Sequence, residues 1–439
     1  MKRVACTSLA KIAELAPGTS IKFQDLKLAF TLGMLKSASF FVEQHGFPPT
    51  DEQYKFLKVF EAFMGSKKER CTLILNGYAG TGKTTLLATC AKFLDAQEKS
   101  YVLMAPTGRA AKVISNYSSK KAFTIHRIIY ALRKRRDGGQ YFSLRKNTYK
   151  NTVFIVDESS MIGEEGGGFS KQSLLDDIVE FVFSSPGCRL IFVGDEAQLP
   201  PVGSSISPAL NKELLEQQYQ LVIAKVSLSQ VLRQAKESGI LLEATRLRGF
   251  MQEQDFKMEI ALHHDLRYLS HYDFADHYQE HLNHYGEDNV IYITRSNKQA
   301  NRMNMQIRNF VYGSDALVDG GDKIMVVKNN YHWVGLEDSQ DFIANGDFCK
   351  VVQVRNQDEV YGYQFADATL EFPDYNLHLD AKIWLDCLLV EQASMPAAAS
   401  EKIWSSVDES LFDEFPEKKK RIAMLRQNSF VQALQIKFG

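Results

Sequence analysis

The sequence predicts an α/β protein built around parallel sheet, and three observations carry that expectation. Short apolar runs, CTLILN (71–76), YVLMAP (101–106), TVFIVD (152–157) and RLIFVG (189–194), recur between helical stretches such as TTLLATCAKFLDA and LLDDIVEFVF. The runs are apolar throughout rather than alternating, which suits strands covered on both faces. A glycine-rich segment, 77–84, follows the first run and opens a helix, the position at which a phosphate is held in such folds.

Composition agrees with a soluble globular chain. The 439 residues carry 52 Lys+Arg against 53 Asp+Glu, and 45% are hydrophobic. This length suggests two to three domains and excludes a largely disordered polyelectrolyte. No run of about 18 uncharged apolar residues is present, so no membrane span is expected. The start, MKRVACTSLAK, is interrupted by Lys11 and does not read as a signal peptide. The six cysteines (Cys6, Cys71, Cys90, Cys188, Cys349, Cys387) form no CxxC pair. They are read as reduced thiols of a cytoplasmic protein, and no zinc site is expected. The near-zero net charge leaves nucleic-acid binding open, because that depends on where the cations sit.

In chain order, residues 1–45 are helical in character and carry no motif. Phe47-Pro48-Pro49-Thr50 breaks the chain before a helix that starts near Asp51. A first α/β block runs to 225, and a second, with the strand VIYIT (290–294), begins near 226. Between about 320 and 390 short runs such as DKIMVV, CKVVQV and ATLEF, separated by turn residues, predict a small antiparallel module. Residues 395–425 are polar and helical, and FVQALQIKFG reads as a return to the second block.

The segment Gly77-Tyr78-Ala79-Gly80-Thr81-Gly82-Lys83-Thr84 matches the P-loop pattern in its strand–loop–helix setting. Its glycines let backbone N–H groups turn toward phosphates, and the helix adds its dipole. Lys83 is expected on the β- and γ-phosphates, and the Thr84 hydroxyl on Mg²⁺. Asp157-Glu158 ends the strand TVFIVD at the edge where α/β sheets bind ligands. Asp157 is the expected Mg²⁺ partner and Glu158 the base for the attacking water. Gln198, in GDEAQLPPV, could touch the γ-phosphate. The loop alone is equally consistent with a polar turn closed by prolines.

Taken together, GYAGTGKT, APTGRAAK, TIH, VDESSM, GDEAQLPPVG and LSQVLRQ resemble, in order, the motifs of superfamily-1 helicases, and most closely the RecD-like branch. That branch moves 5′ to 3′ and includes exodeoxyribonuclease V alpha subunits. The resemblance covers about 47–360. It implies two RecA-like P-loop NTPase domains with a small inserted β hairpin and an SH3-like β module. The implied limits are 46–225 for the first domain, with the insertion at 127–151, then 226–320 for the start of the second. The β module and a helical tail would fill 321–425, with a return to the second domain at 426–439.

Residue by residue, the resemblance implies an ATP site of Gln53, Gly77, Ala79, Gly80, Thr81, Gly82, Lys83, Thr84 and Thr85. Gln53 would read adenine, Gln198 would sense the γ-phosphate, and Arg233 would be the arginine entering from the second domain. Pro106, Thr107, Gly108, Arg109, Thr124 and His126 match segments that hold single-stranded DNA in the first domain. Asn297, within Thr294-Arg295-Ser296-Asn297, and Asn301 match the counterpart in the second. Lys328-Asn329-Asn330-Tyr331 resembles part of the β module, where Tyr331 and Trp333 could stack on bases. Between Arg127 and Asn151 lie eight Lys/Arg, including Arg133 and Arg135, and one acid, Asp137. Asp137-Gly138-Gly139 reads as a hairpin turn, at the place of the family's strand-separating pin.

The expected activity is ATP- and Mg²⁺-dependent 5′-to-3′ DNA unwinding by a monomer. Its partners would be single strands, junctions and other repair proteins, in DNA repair or recombination. Two readings stay beside it, a superfamily-1 RNA helicase and an ATP switch that grips DNA without unwinding it. The family's later His-Lys-x-Gln-Gly and Thr-Arg motifs have no counterpart before Gly439, so a motor short of its last elements is expected, one that by itself binds ATP with weak or absent DNA-stimulated hydrolysis and no unwinding. No further carboxylate cluster suggests a nuclease.

Overall fold

The computed structural model describes residues 35–118, 120–134, 140–163, 173–201, 203–231, 238–253, 260–270, 272–327, 343, 346–373 and 376–391, with 402, 405, 406 and 409. The chain divides into two compact units after Leu266.

In the first unit, helices α1 (Lys36–His45) and α2 (Asp51–Gly65) precede strand β1 (Cys71–Gly77). The start of α2 follows from its sequence. Thr50 accepts the Gln53 N–H and Gln53 accepts the Thr50 N–H, a capping box, while Asp51 and Glu52 sit at the positive end of the dipole. There follow α3 (Lys83–Ala96), β2 (Tyr101–Ala105), α4 (Gly108–Ser118), β3 (Ala122–Thr124) and α5 (Ile125–Ile129). Next come β4 (Tyr130–Lys134), β5 (Gln140–Leu144), β6 (Val153–Val156), α6 (Leu174–Phe183) and β7 (Arg189–Gly194). The unit ends with α7 (Lys212–Tyr219), β8 (Val222–Leu228) and α8 (Gly239–Glu253).

Among the described residues the main sheet runs β3-β2-β6-β7-β1-β8, with every pair parallel. The four apolar runs are its strands β1, β2, β6 and β7. Their lack of alternation has a direct cause, because both faces are buried. Leu73, Leu75, Leu103, Ile155, Ile191 and Val193 pack against Phe41, Phe56, Phe60 and Leu86 on one face. Ile74, Met104, Phe154, Val156, Leu190 and Phe192 pack against Ile129, Leu175, Ile178 and Val182 on the other. Strands β3 and β8, unforeseen in the sequence, complete the sheet. Strand β8 pairs with β1 from Cys71↔Val222 to Gly77↔Leu228. The boundary expected near 226 therefore falls inside a strand of the first sheet.

Strands β4 and β5 form a separate antiparallel pair with Arg133 opposite Tyr141, the expected inserted hairpin. Residues 135–139 between them, Arg135 and Arg136 included, lie outside the described residues.

The second unit carries α9 (Phe274–Tyr285) and α10 (Asn297–Ile307). Its antiparallel sheet is ordered β12-β11-β10-β9, from β9 (Lys323–Met325), β10 (Phe348–Val360), β11 (Tyr363–Phe372) and β12 (Leu377–Trp384). Tyr361 and Gly362, at φ 54° and 77°, make the two-residue turn between β10 and β11, as a hairpin that follows strand twist requires. Ala366, Ala368, Leu370 and Phe372 alternate inward onto Val318 and Val351. Two register shifts between β10 and β11 curl the sheet. The run VIYIT, expected as a strand, is not one. Ile291 and Ile293 are 82% and 84% exposed. Among the described residues no neighbouring strand pairs with it, and an apolar run without a partner forms no ladder. The segment FVQALQIKFG lies outside the described residues.

Candidate nucleotide-binding site

Because all six strands of the main sheet are parallel, their C-terminal ends share one edge, where α/β sheets bind ligands. β1 ends in the glycine loop, β6 in Asp157-Glu158 and β7 in Asp195–Gln198. β2 ends at Pro106–Arg109 and β3 at Thr124–His126.

The loop is shaped by close approach. A Cβ on Gly77 would lie 2.8 Å from Thr81 Oγ1 and 3.0 Å from Leu228 Cβ. Gly82, at φ 89°, caps α3 in a left-handed conformation that side chains disfavour. The Thr81 hydroxyl, in a buried residue, donates to the Tyr78 carbonyl at 2.7 Å. The Lys83 ammonium donates to the carbonyls of Gly77 and Tyr78. Burial holds Lys83 below the usual lysine range, and the carboxylates of Asp195, Glu158 and Asp157 oppose that shift.

Asp157 is pushed up to about 6, chiefly by burial. The Glu158 N–H, donating to Asp157 Oδ1 at 2.9 Å, works the other way, and so does the Lys83 charge. Glu158 stands at φ 50°, a left-handed turn that ends the strand. Its neighbour Ser160 donates from its hydroxyl to Gln198 Oε1 at 3.4 Å, which ties the two loops together. The Gln198 loop is anchored further back. Asn76 donates to Glu196 at 2.8 Å and accepts the Glu196 N–H at 3.1 Å, and the Lys225 ammonium lies 2.5 Å from the same carboxylate.

Gln53 is 1% exposed, and its Nε2 donates to the Thr81 carbonyl at 3.3 Å while Oε1 accepts from Thr50. Its amide therefore already bridges α2 and the glycine loop. One amide hydrogen and one oxygen lone pair remain for a base. Ala79, Gly80, Thr84 and Thr85 lie within or just after the loop, Thr84 partly exposed in the first turn of α3.

Three residues of this region were not apparent in the sequence. Asp195 is 3% exposed, accepts the Ala197 N–H at 2.9 Å and acts on the Lys83 charge. Glu52 accepts the N–H groups of Ser229 at 2.8 Å and Gln230 at 3.0 Å, pinning the loop after β8 to α2. The Arg248 guanidinium of α8 sits 4.3 Å from the Tyr78 ring centroid and adds a like charge near Lys83. No motif marks Arg248, which in sequence is one more arginine on a polar helix.

Of the residues matched to DNA segments, Thr107 accepts the Ala110 N–H at 3.2 Å and Thr124 accepts the Arg127 N–H at 3.4 Å. Both threonines thus cap helices with their hydroxyls. Arg109 is exposed beside the buried Gly108, and Pro106 is half-buried. The His126 ring lies 5.4 Å from that of Tyr130, and burial holds it below the usual histidine value. In the second unit, Asn297 is exposed at the start of α10, capped by Ser296. Asn301 donates to the Val390 carbonyl at 3.0 Å. Arg233, Arg135, Asn330, Tyr331 and Trp333 lie outside the described residues, as do the side chains of Arg133 and Lys134. No helix among the described residues is long and apolar enough to cross a membrane.

Known proteins resemble parts of this chain. Residues 53–259 match the model of a family described as an AAA domain. The ATP-dependent RecD2 DNA helicase of Deinococcus radiodurans is 32% identical over 173 residues, 39% of this chain and 21% of that protein. The ATP-dependent DNA helicase dda of Enterobacteria phage T4 is 30% identical over 141 residues, 31% of this chain and 29% of that protein. The chain thus spans less than a third of either relative's length. Among solved structures, the Pif1 helicase from Candida albicans is 18% identical, covering 76% of this chain and 78% of that one with a TM-score of 0.33. Residues 53–259 thus carry the match to an AAA domain, and parts of the chain are similar to ATP-dependent DNA helicases.

Proposed function

We propose that this chain is an ATP-dependent, 5′-to-3′ DNA translocase of the helicase type. The observation that carries the proposal is the convergence of Lys83, Asp157, Glu158 and Gln198 at one edge of a parallel sheet, around a glycine loop that opens a helix. The donor set fits a magnesium nucleotide. Thr84 stands in the first turn of α3, and Asp157 is a carboxylate whose burial disfavours its charge, which a divalent cation would restore. Bound there, Mg²⁺ would supply charge neutralisation for the phosphates.

In this reading Lys83 leaves the carbonyls of Gly77 and Tyr78 to neutralise the β- and γ-phosphates. Glu158 takes the proton of the attacking water, and Gln198, tied to Ser160, reports the γ-phosphate to the second loop. Arg233 and Arg248 supply further positive charge for the transition state, where each such group is worth orders of magnitude in rate. Gln53 holds the loop to α2 and offers its remaining amide valences to adenine. The exposed Arg109, the β4–β5 hairpin and Asn297 contribute contacts to single-stranded DNA, and a role in repair or recombination is part of the same proposal. The domain limits implied by the family resemblance, with a second RecA-like domain beyond the first sheet, belong to the same proposal.

One observation favours a second reading. Among the described residues of the second unit the sheet is antiparallel, and no second parallel sheet is described. That suits a nucleotide-gated DNA-binding switch. Phosphate release measured with and without single-stranded DNA, then strand displacement on substrates with 5′ or 3′ tails, separates the two. DNA-stimulated turnover with displacement from 5′ tails supports the translocase. Turnover or nucleotide-dependent DNA affinity without displacement supports the switch. No turnover and no nucleotide-dependent affinity, in a chain that is folded, overturns both.

A further inference from the structure

Helix α9 of the second unit reads FADHYQEHLNHY and carries a cluster with no part in the site above. His277 and His281 are four residues apart, with Glu280 between them. Spacings of three and four place these side chains on one helical face. A ring nitrogen from each histidine and a carboxylate oxygen of Glu280 all lie within 4.8 Å of one another. His277 Nδ1 is 3.5 Å from the Glu280 carboxylate. His281 Nδ1 donates to the His277 carbonyl at 2.7 Å. That bond leaves the lone pair of the neutral His281 ring on Nε2. Metal-bound histidines are held in the same way, with the second nitrogen on a carbonyl or carboxylate.

We propose that His277, Glu280 and His281 form a binding site for a divalent cation of the Zn²⁺, Co²⁺ and Ni²⁺ class. Two imidazoles and one carboxylate suit these borderline ions, whereas Mg²⁺ and Ca²⁺ take oxygen ligands. Metal–ligand bonds near 2.1 Å bring ligand atoms to about 3–3.5 Å from one another. Closing from the present separations needs only side-chain rotation. All three residues are exposed, with the Tyr285 ring 5.7 Å from that of His281 on the same helix, and water can fill the remaining positions. The backbone is fixed by a regular twelve-residue helix. The bland alternative is a solvated helix face with one weak surface pair between His277 and Glu280. It explains the 3.5 Å contact, while the His281 ring is oriented by its bond to the His277 carbonyl, which keeps the lone pair on Nε2. The cysteine pattern gave no reason to expect zinc, and the donors here are imidazoles instead. His284, on the same helix, packs edge-on against Tyr285 at 4.4 Å and serves as a control.

The test is calorimetric titration of the untagged full chain with CoCl₂ and ZnCl₂ in excess Mg²⁺, with the Co²⁺ absorption spectrum recorded. The expected result is one ion per chain, no thiolate charge-transfer band, and loss of affinity by roughly 30-fold or more in the His277→Ala, His281→Ala double variant. Glu280→Gln should weaken binding by about 10-fold and His284→Ala by less than about twofold. Unchanged circular dichroism in the double variant assigns the loss to the ligands. Absence of binding at about 100 µM ion, a double variant that binds like the parent, or a thiolate band in the spectrum would each overturn the site.

Discussion

Gln53 donates its side-chain N–H to the Thr81 carbonyl while its own oxygen accepts the Thr50 N–H, so one buried amide joins the cap of α2 to the phosphate loop. A residue expected to meet the nucleotide is also a structural strut. Gln53→Ala leaves a backbone donor and a buried acceptor without these partners, at a cost of about 1–3 kcal/mol. Thermal melting should drop even without nucleotide. A variant that melts like the parent but loses adenine selectivity would make Gln53 a nucleotide reader only.

Lys83→Ala should abolish ATP hydrolysis, since it removes the cation placed for the β- and γ-phosphates. Melting should change little, because Lys83 bonds only loop carbonyls and a buried lysine already loses hydration. Parent-like phosphate release by the folded variant would remove the ATPase assignment.

Glu158→Gln should separate binding from chemistry. The amide retains shape and loses basicity, so turnover should fall by about 10²-fold or more while affinity for Mg²⁺–ATP holds. Equal losses in both would make Glu158 a binding residue.

Asp157 carries a sign that distinguishes structure from function. Its folded pKa, about 6, stands above the ordinary 3.8, so between these values the folded chain binds more protons than the unfolded one. Stability without metal therefore declines as pH rises through that window. Asp157→Asn removes the decline and should stabilise the metal-free chain at pH 7.5 by about 1–2 kcal/mol, while Mg²⁺-dependent hydrolysis collapses. Melts at pH 4 and pH 7.5 in chelator check it, and no gain at the higher pH counts against burial as the cause.

Arg248→Ala should reduce turnover by about 10-fold with folding intact, and Arg248→Lys should recover part of it. If both variants lose the same activity as Tyr78→Ala, the stacking contact matters and the charge does not. Neutralising Arg133, Lys134, Arg135 and Arg136 should weaken single-strand binding and flatten its salt dependence without altering ATP affinity. An unchanged salt slope returns those residues to a solvated face.

Much of the first unit was legible because its determinants are local. The glycine loop is written in consecutive residues, since phosphate cradling needs successive backbone N–H groups. Phe47-Pro48-Pro49-Thr50 announces the start of α2, and CTLILN, YVLMAP, TVFIVD and RLIFVG announce strands buried on both sides. What only the tertiary structure decided depends on pairings between distant residues. Strand β8 reads VIAKVSL and joins the first sheet because Cys71–Gly77 offers it a backbone edge. VIYIT is more apolar and has no such edge among the described residues, so it remains outside any sheet. Arg248 reaches Tyr78, and Glu52 reaches Ser229, across 170 and 177 residues of chain. Periodicity reports which face of an element is buried and is silent on which distant backbone or charge will meet it, because that choice is made by the packing of the whole sheet.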